Sequence, residues 1–434
     1  IKKKLLFFLV LFEIILFLLC VRVFFIEAIE ANFWQSKAYE QQTRDRLIKP
    51  NRGTIFDKNM IGIAKTETVA SISVIHAQIK EPEKIANILS KKLDIDCDTV
   101  LNKINKRVAL ERIRTKVDKN IADHIRKLNL AGVVIDEDIK RVYPYSNLAS
   151  QVIGFVGKDN QGIIGLEAKY DKFLKGQSGK IMTETDASGR EIKNGQEYRQ
   201  EPIQGNNLVL TLDINLQQYA EQTLEKAIKA KKAKRGAIIS LNPQNGEIYV
   251  MANKPDFDLN KPFEIPEDNI KISGQQKNIS DLSEKEKNDY LNQMWRNFSI
   301  NDTYEPGSAF KIITSAAGLE EKIITPETRF NCSGAKVIAG RTIKCWKSPR
   351  SHGSETFVQG VQNSCNPVFM EIAESLGAET FYKYMNLFGF NNKTGIDLAG
   401  EAVGIMHKLK NVGPVELATM GFGQSFQITP LQLM

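Results

Sequence analysis

Glu305-Pro306-Gly307-Ser308-Ala309-Phe310-Lys311, followed later by Ser364-Cys365-Asn366, is the pair of strings that decides how this chain reads. Pro306-Gly307 is a breaker pair, and Ile312, Ile313, Ala316, Ala317 and Leu319 follow at helical spacing, which predicts a helix start at the serine. Residues three apart are neighbours on a helix surface, so Lys311 is expected to reach the Ser308 oxygen. A serine hydroxyl is a poor nucleophile until an adjacent base takes its proton. Lysine serves as that base when desolvation or neighbouring charge lowers its pKa. Backbone N–H groups at the helix start favour the oxyanion that forms during acyl transfer. These residues spell a serine acyl-transfer site.

Each string alone is weak. Ser333-Gly334-Ala335-Lys336 also matches S-x-x-K, but it lies between Cys332 and a glycine-rich stretch with no helical apolar pattern behind it. Ser240-Leu241-Asn242 ends a predicted strand, and Ser299-Ile300-Asn301 sits too close to the nucleophile to come from another element. Ser364-Cys365-Asn366, followed by Pro367, belongs to a separate segment. The ordered pair in this context carries the reading.

S-x-x-K followed by S-x-N resembles the signature of penicillin-binding proteins and class A β-lactamases. Tyr304 to Lys311 resembles the acylation motif of class B penicillin-binding proteins, the cell-wall transpeptidases, which usually carry threonine where this chain has Ala309. Asn51-Arg52-Gly53-Thr54-Ile55-Phe56-Asp57, Arg141-Val142-Tyr143-Pro144 and Gly162-Ile163-Ile164-Gly165-Leu166-Glu167 look like motifs of that family's N-terminal module. Met420-Gly421-Phe422-Gly423-Gln424, followed by Thr429-Pro430-Leu431-Gln432-Leu433, looks like a late helix of its transpeptidase domain. The detail is closest to the division type, including its spore-cortex branch.

A K-T-G string completes the family signature, and Lys393-Thr394-Gly395 offers itself. In the family the functional copy lies on a strand well over a hundred residues past S-x-N, whereas this one is flanked by Phe388-Gly389-Phe390-Asn391-Asn392 and Ile396-Asp397-Leu398-Ala399-Gly400. Such flanks punctuate a chain rather than build a central strand. Lys393-Thr394-Gly395 is therefore read as a structural loop, and the functional copy is expected beyond Met434. The start at Ile1 and the stop inside an apolar pattern read as a fragment, which is expected to be inactive by itself and to bind penicillin poorly or not at all.

The 434 residues leave room for two globular domains, and 42% apolar with 25% charged is ordinary globular composition. The net charge of +8 is mild and dispersed, and nucleic acid is not an expected partner. The run Lys229, Lys231, Lys232, Lys234, Arg235 suits a solvated helix C-terminus, with contact to anionic wall polymers or lipid heads as the other reading. Lys2, Lys3 and Lys4 precede an apolar stretch from Leu5 to Val21 that resumes from Val23 to Ile26, long enough to span a bilayer. Basic residues ahead of the span predict a cytoplasmic N-terminus and an extracytoplasmic bulk. Glu13 interrupts it, and no small-x-small cleavage site follows, so an uncleaved single-pass anchor is expected.

Strand-like runs occur at Val69 to Ile75 and Ala131 to Ile135, with helical spacing in Ile85, Ile88, Leu89, in Val100, Leu101, Ile104 and in Ile121, Ile125, Leu128. Arg52, Asp57, Arg141 and Glu167 read as inter-domain salt-bridge and turn positions rather than catalysts. Further on, Leu208 to Leu212 reads as a strand. Asp213 caps a helix bearing Leu216, Ala220, Leu224, Ala227 and Ile228, and Gly236 to Leu241 with Glu247 to Ala252 read as a hairpin. Residues 264–294 read as a surface excursion. The resemblance implies an α/β (α+β) protein: a cytoplasmic tip and anchor over 1–26, a pedestal or dimerisation domain over 27–200, and a penicillin-recognising transpeptidase domain over 206–434.

Cys20 falls in the span, Cys97 in the pedestal, and Cys365 inside S-x-N, where its side chain is expected to pack. Cys332 and Cys345 flank a glycine-rich loop in a compartment where disulfides persist, so they read as a bridge or as two buried thiols. His352 reads as a surface-loop residue, since its spacing from the cysteines fits no common zinc pattern. No metal or cofactor is expected.

The resemblance implies that Ser308 attacks the penultimate D-alanine carbonyl of a peptidoglycan stem peptide, with Lys311 as base. Ser364 would relay the proton to the leaving amine and Asn366 would hold the donor amide. β-Lactams would be trapped as esters, and a SEDS-family glycan polymerase with division or cortex-synthesis membrane proteins would be the partners. A β-lactamase or penicillin sensor lacks its deacylating E-x-x-L-N string here, and a non-catalytic scaffold would not need the intact serine–lysine pair.

Overall fold

Apolar residues from Leu5 to Phe24 are exposed along the helix Lys2–Phe24, which continues as a π-helical turn, Phe25–Ile29. Among the described residues, one helix, Lys4–Ile29, is long and apolar enough to cross a membrane. The structure is a computed structural model. It describes all residues except 1, 185–191, 193–196, 266–270, 273–274 and 277.

Packing divides the chain into two units. The first comprises Ile1–Gly53, Thr66–Arg141 and Lys175–Asn206, and the second Thr54–Lys65, Val142–Leu174 and Asn207–Met434. Two stretches of the 27–200 region thus cluster with the later residues.

In the first unit, Glu111–Val117 pairs antiparallel with the strand ending at Val74, in the register Ala70↔Val117 and Val74↔Glu111. The helices Pro82–Leu93, Cys97–Ile104 and Lys119–Lys127 pack over it, burying Ile72, Val74, Leu89, Val100, Ile104, Ile113 and Ile125. The expected helical spacing is realised, although Ile121 and Leu128 face solvent. Asp96 and Asp118 cap two of these helices by accepting from Thr99 N and Asn120 N. Arg141 is buried and donates to the Gly53 carbonyl at 2.8 Å.

In the second unit, Asp57 is fully buried and organises a turn, accepting from Asn59 N at 2.9 Å and Ile61 N at 2.8 Å. The predicted entry strand shrinks to Leu208–Val209, which runs parallel to Ile55–Phe56. Asp213 caps Ile214–Lys231, and that helix packs on the hairpin Gly236–Leu241/Ile248–Lys254. Its buried stripe differs from the expected one: Leu216 and Ala227 are exposed, while Gln217 and Glu221 are buried with Ala220 and Leu224. Gln217 exchanges hydrogen bonds with the Met251 backbone at 2.9 and 3.1 Å, and Glu221 accepts from Ala149 N at 2.7 Å. Buried amides and carboxylates persist where each polar atom finds a partner. Of the 264–294 excursion, several residues lie outside the described ones. The rest holds the helix Glu284–Trp295, whose capping box (Ser283, Glu286) and buried Leu291 and Met294 tie it to the core.

The core around the two motif strings is built by Lys311–Glu320, Pro414–Met420 and the run Asn366–Leu387, which breaks at Gly377. Phe310 is fully buried against Phe426, Phe390 and Phe381, with ring centroids 4.8 to 6.1 Å away. Of the two strings read as a late helix, Pro430–Leu433 is helical with Thr429 as its cap, whereas Met420–Gln424 is not helical as a whole. The helix Pro414–Met420 ends as that string begins, and Gly421 to Gln424 form a turn packed under the Pro306-Gly307 breaker. Gly307 N donates to Gly423 O at 2.9 Å, and a Cβ on Gly423 would sit 2.1 Å from Gly307 O. Gly423 also has φ +82°, a conformation that L side chains rarely adopt.

Gly423→Ala is therefore expected to destabilise the chain by roughly 2 kcal/mol or more. A surface control, Gly340→Ala, meets no atom within 4 Å and carries only the backbone cost of its φ of +80°. Denaturant unfolding of the two variants compares these costs; equal losses would show that the Gly307 contact is not a tight one.

Candidate active site

Ser308 lies on a 3-10 turn, Gly307–Phe310, that runs directly into Lys311–Glu320. The turn is fixed from both sides. Tyr304 exchanges backbone hydrogen bonds with Ile428 at 2.9 and 3.0 Å, and Glu305 Oε1 accepts from Ser425 N at 2.9 Å. Anchoring Phe310 below leaves Ser308 exposed while Lys311 is only 5% exposed. The second string sits where the short helix Phe357–Gln362 passes into Asn366–Leu387. Ser364 has φ +48°, unusual for a residue with a Cβ and of a kind concentrated at functional sites.

The two strings meet. Lys311 Nζ donates to Ser364 O at 2.8 Å, Ser364 Oγ at 3.0 Å and Asn366 Oδ1 at 2.8 Å. Ser364 Oγ donates in turn to Ser308 Oγ at 3.0 Å. All four residues singled out in the sequence come together, but the expected Lys311-to-Ser308 contact runs through Ser364. The three acceptors match the three N–H donors of an ammonium. Burial holds Lys311 down to about 8, partly offset by the sulfur groups of Cys345 and Cys365, and its Nζ stands 5.1 Å from the Phe369 ring centroid.

When Lys311 is charged, the hydrogen bonds run from lysine through Ser364 to Ser308. A neutral amine has a lone pair, so the same three groups can carry a proton the other way, from Ser308 to Lys311. That is general-base activation of a serine.

Competing strings go elsewhere. Ser333 Oγ donates to Ala335 O at 2.8 Å, and Lys336 pairs with Glu374 at 2.7 Å and Glu371 at 3.3 Å. Lys393-Thr394-Gly395 lies in an irregular loop in which the Thr394 and Gly395 amides donate to the Glu401 carboxylate. That loop lines a cavity of about 880 Å³ together with Tyr170, Leu212 and Asp397; Ser308, Lys311, Ser364 and Asn366 do not line it.

Cys332 and Cys345, read as a bridge or as two buried thiols, are buried and free in this structure. Sequence reasoning missed the setting of His352. His352 is not a surface residue: its side chain is 3% exposed, and its Nδ1 lies 3.8 Å from Cys345 Sγ. Cys365 is fully buried as expected, and burial followed by the Glu355 carboxylate pushes its thiol up, which suits packing rather than nucleophilic attack.

Comparison with known proteins places this geometry. The family "Penicillin binding protein transpeptidase domain" matches residues 236–434, and "Penicillin-binding Protein dimerisation domain" matches 47–210. Stage V sporulation protein D of Bacillus subtilis is 37% identical over 438 aligned positions, covering 100% of this chain and 64% of the relative. Peptidoglycan D,D-transpeptidase FtsI of Escherichia coli K12 is 26% identical, covering 95% of this chain and 66% of the relative. This chain therefore spans a little under two thirds of the length of these two relatives. The penicillin-binding protein PBP2 solved in complex with MreC from Helicobacter pylori is similar over 90% of this chain and 75% of that one, at 26% identity and TM-score 0.69. With both domains matched in order and the S-x-x-K and S-x-N residues hydrogen-bonded together, the chain belongs to the class B penicillin-binding proteins.

Proposed function

We propose that the protein is a peptidoglycan D,D-transpeptidase working through a Ser308 acyl-enzyme. The observation that carries this is the hydrogen-bonded series Lys311–Ser364–Ser308 around a buried lysine. Neutral Lys311 draws the Ser308 proton through Ser364 as Ser308 Oγ bonds to the penultimate D-alanine carbonyl carbon. The tetrahedral intermediate then expels terminal D-alanine, whose nitrogen takes a proton back through Ser364. Asn366 holds the donor amide. A neighbouring stem's amine attacks the ester, forms the cross-link amide and frees Ser308. β-Lactams present the same carbonyl but keep their leaving group tethered, and so remain as esters.

The apolar N-terminal helix supports reading it as a single-pass anchor with its basic tip in the cytoplasm and the active site on the outer side, where wall precursor is assembled. Transpeptidation needs freshly polymerised glycan strands; a SEDS-family polymerase and division or cortex-synthesis membrane proteins are the partners we assign. The relatedness to stage V sporulation protein D favours the spore cortex, and the MreC complex of H. pylori PBP2 is a precedent for a protein partner.

Two measurements test the reading on the whole gene product in membranes. Ser308→Ala abolishes covalent labelling by a fluorescent penicillin, whereas Ser333→Ala leaves it unchanged; the reverse pattern overturns the assignment. The acylation rate rises with pH around a midpoint near 8, because a lowered Lys311 pKa means that the amine becomes competent as pH climbs through that value and is protonated below it. Lys311→Arg, permanently charged, slows acylation by roughly 10²- to 10⁴-fold. A flat profile between pH 6 and 9 (~3 units, spanning any titration of this group) would remove Lys311 from the role of base.

A further inference from the structure

Beside the catalytic network, four side chains converge that the acyl-transfer chemistry does not use. Cys332 ends the strand Arg329–Cys332, Cys345 follows the strand Arg341–Lys344, His352 precedes the strand Gly353–Thr356, and Cys365 caps Asn366–Leu387. Sheet register explains the meeting: Cys332 pairs with Gly353, next to His352, and the hairpin Ala335–Ile338/Arg341–Lys344 folds Cys345 back so that its N–H reaches Gly334 O at 3.0 Å. Their three sulfurs and one ring nitrogen all lie within 4.8 Å of one another.

We propose that Cys332, Cys345, His352 and Cys365 form a tetrahedral Cys₃His site for Zn²⁺. Bonds of about 2.3 Å to sulfur and 2.0 Å to nitrogen give a tetrahedron with edges of roughly 3.5 to 3.8 Å, and Cys345 Sγ stands 3.8 Å from His352 Nδ1. The donor chemistry is soft thiolate with imidazole, which selects zinc over calcium or magnesium. Glu355 supplies an independent sign. Its carboxylate is 2% exposed, its Oε2 accepts from Asn363 Nδ2 at 2.9 Å, and its Oε1 has no hydrogen-bond partner while standing 4.0 Å from His352 Nδ1. A buried carboxyl oxygen without a donor calls for a partner, and carboxylates commonly orient metal-bound histidines. A coordinating thiol binds zinc as the thiolate, so metal uptake would release protons.

The site reaches the active centre through the backbone. Cys365 lies between Ser364 and Asn366, and Glu355 grips Asn363, so the metal fixes a four-residue stretch that supplies all three Lys311 acceptors. Cys365 is thus a positioning residue. A Cys332–Cys345 disulfide would consume two ligands, so bridge and metal exclude each other.

The test uses the full chain, purified in reductant, stripped with a chelator and titrated with Co²⁺ and then Zn²⁺ alone. One equivalent of Co²⁺ gives tetrahedral d–d bands with sulfur-to-cobalt charge transfer, and one equivalent of Zn²⁺ displaces it. Cys345→Ser and His352→Ala weaken the bands; Cys97→Ser, in the helix Cys97–Ile104 of the other unit, leaves them unchanged. Because a ligand substitution can itself unfold the chain, the stoichiometry and spectrum of the unsubstituted protein decide whether the site exists. Reduced thiols that take up no Co²⁺, or purified protein with Cys332 joined to Cys345, overturn the site. Penicillin acylation falling at least about tenfold on stripping, and returning with Zn²⁺, tests the positioning role. That part alone rests on the acyl-serine reading, since cobalt uptake without acylation would sink the reading and leave the metal standing.

Discussion

A buried amine with all three of its donors occupied by one turn of chain is the constraint around which this active centre is organised. Taking an ammonium out of water is costly unless every hydrogen bond is replaced. Lys311 regains them from Ser364 O, Ser364 Oγ and Asn366 Oδ1. The residual desolvation is the useful part: it lowers the lysine to about 8, close to the range where a general base works at physiological pH. The same acceptors hold Ser364 within reach of Ser308. In the proposed mechanism this one interaction sets both the charge state of the base and the path of the proton.

Holding this arrangement requires two backbones to come closer than side chains allow. Gly423 lies against Gly307, and Ser364 adopts a left-handed φ. Such conformations persist only where surrounding packing over-determines them. Here Phe310 anchors the nucleophile's turn from below, and the Tyr304–Ile428 bridge fastens its N-terminal side. The S-x-N turn is fastened from its own interior by Cys365 and Glu355. Rigid elements thus carry an exposed hydroxyl on a fixed mount, as preorganised catalysis demands.

Much of this was legible in the sequence because it is local. The S-x-x-K and S-x-N residues, the capped helix at Asp213 and the apolar N-terminal helix all follow from short-range patterns. The irregular setting of Lys393-Thr394-Gly395 was readable from its turn-like flanks, while its closeness to S-x-N counted against it only through the family resemblance. What stayed hidden depends on register between distant segments. Gln217 and Glu221 look solvent-facing until the Met251 backbone is found opposite the one and the Ala149 N–H opposite the other. His352 looks like a loop residue until strand pairing sets Cys332 against its neighbour Gly353. The relay through Ser364 was equally unreadable, since spacing on one helix suggested direct contact.

The most direct measurement is peptide mapping by mass spectrometry of the whole gene product after brief exposure to ampicillin. The account predicts one covalent adduct, located on Ser308 within the peptide that contains Glu305 to Lys311. An adduct on any other residue, or an unmodified Ser308 after saturating exposure, would contradict it.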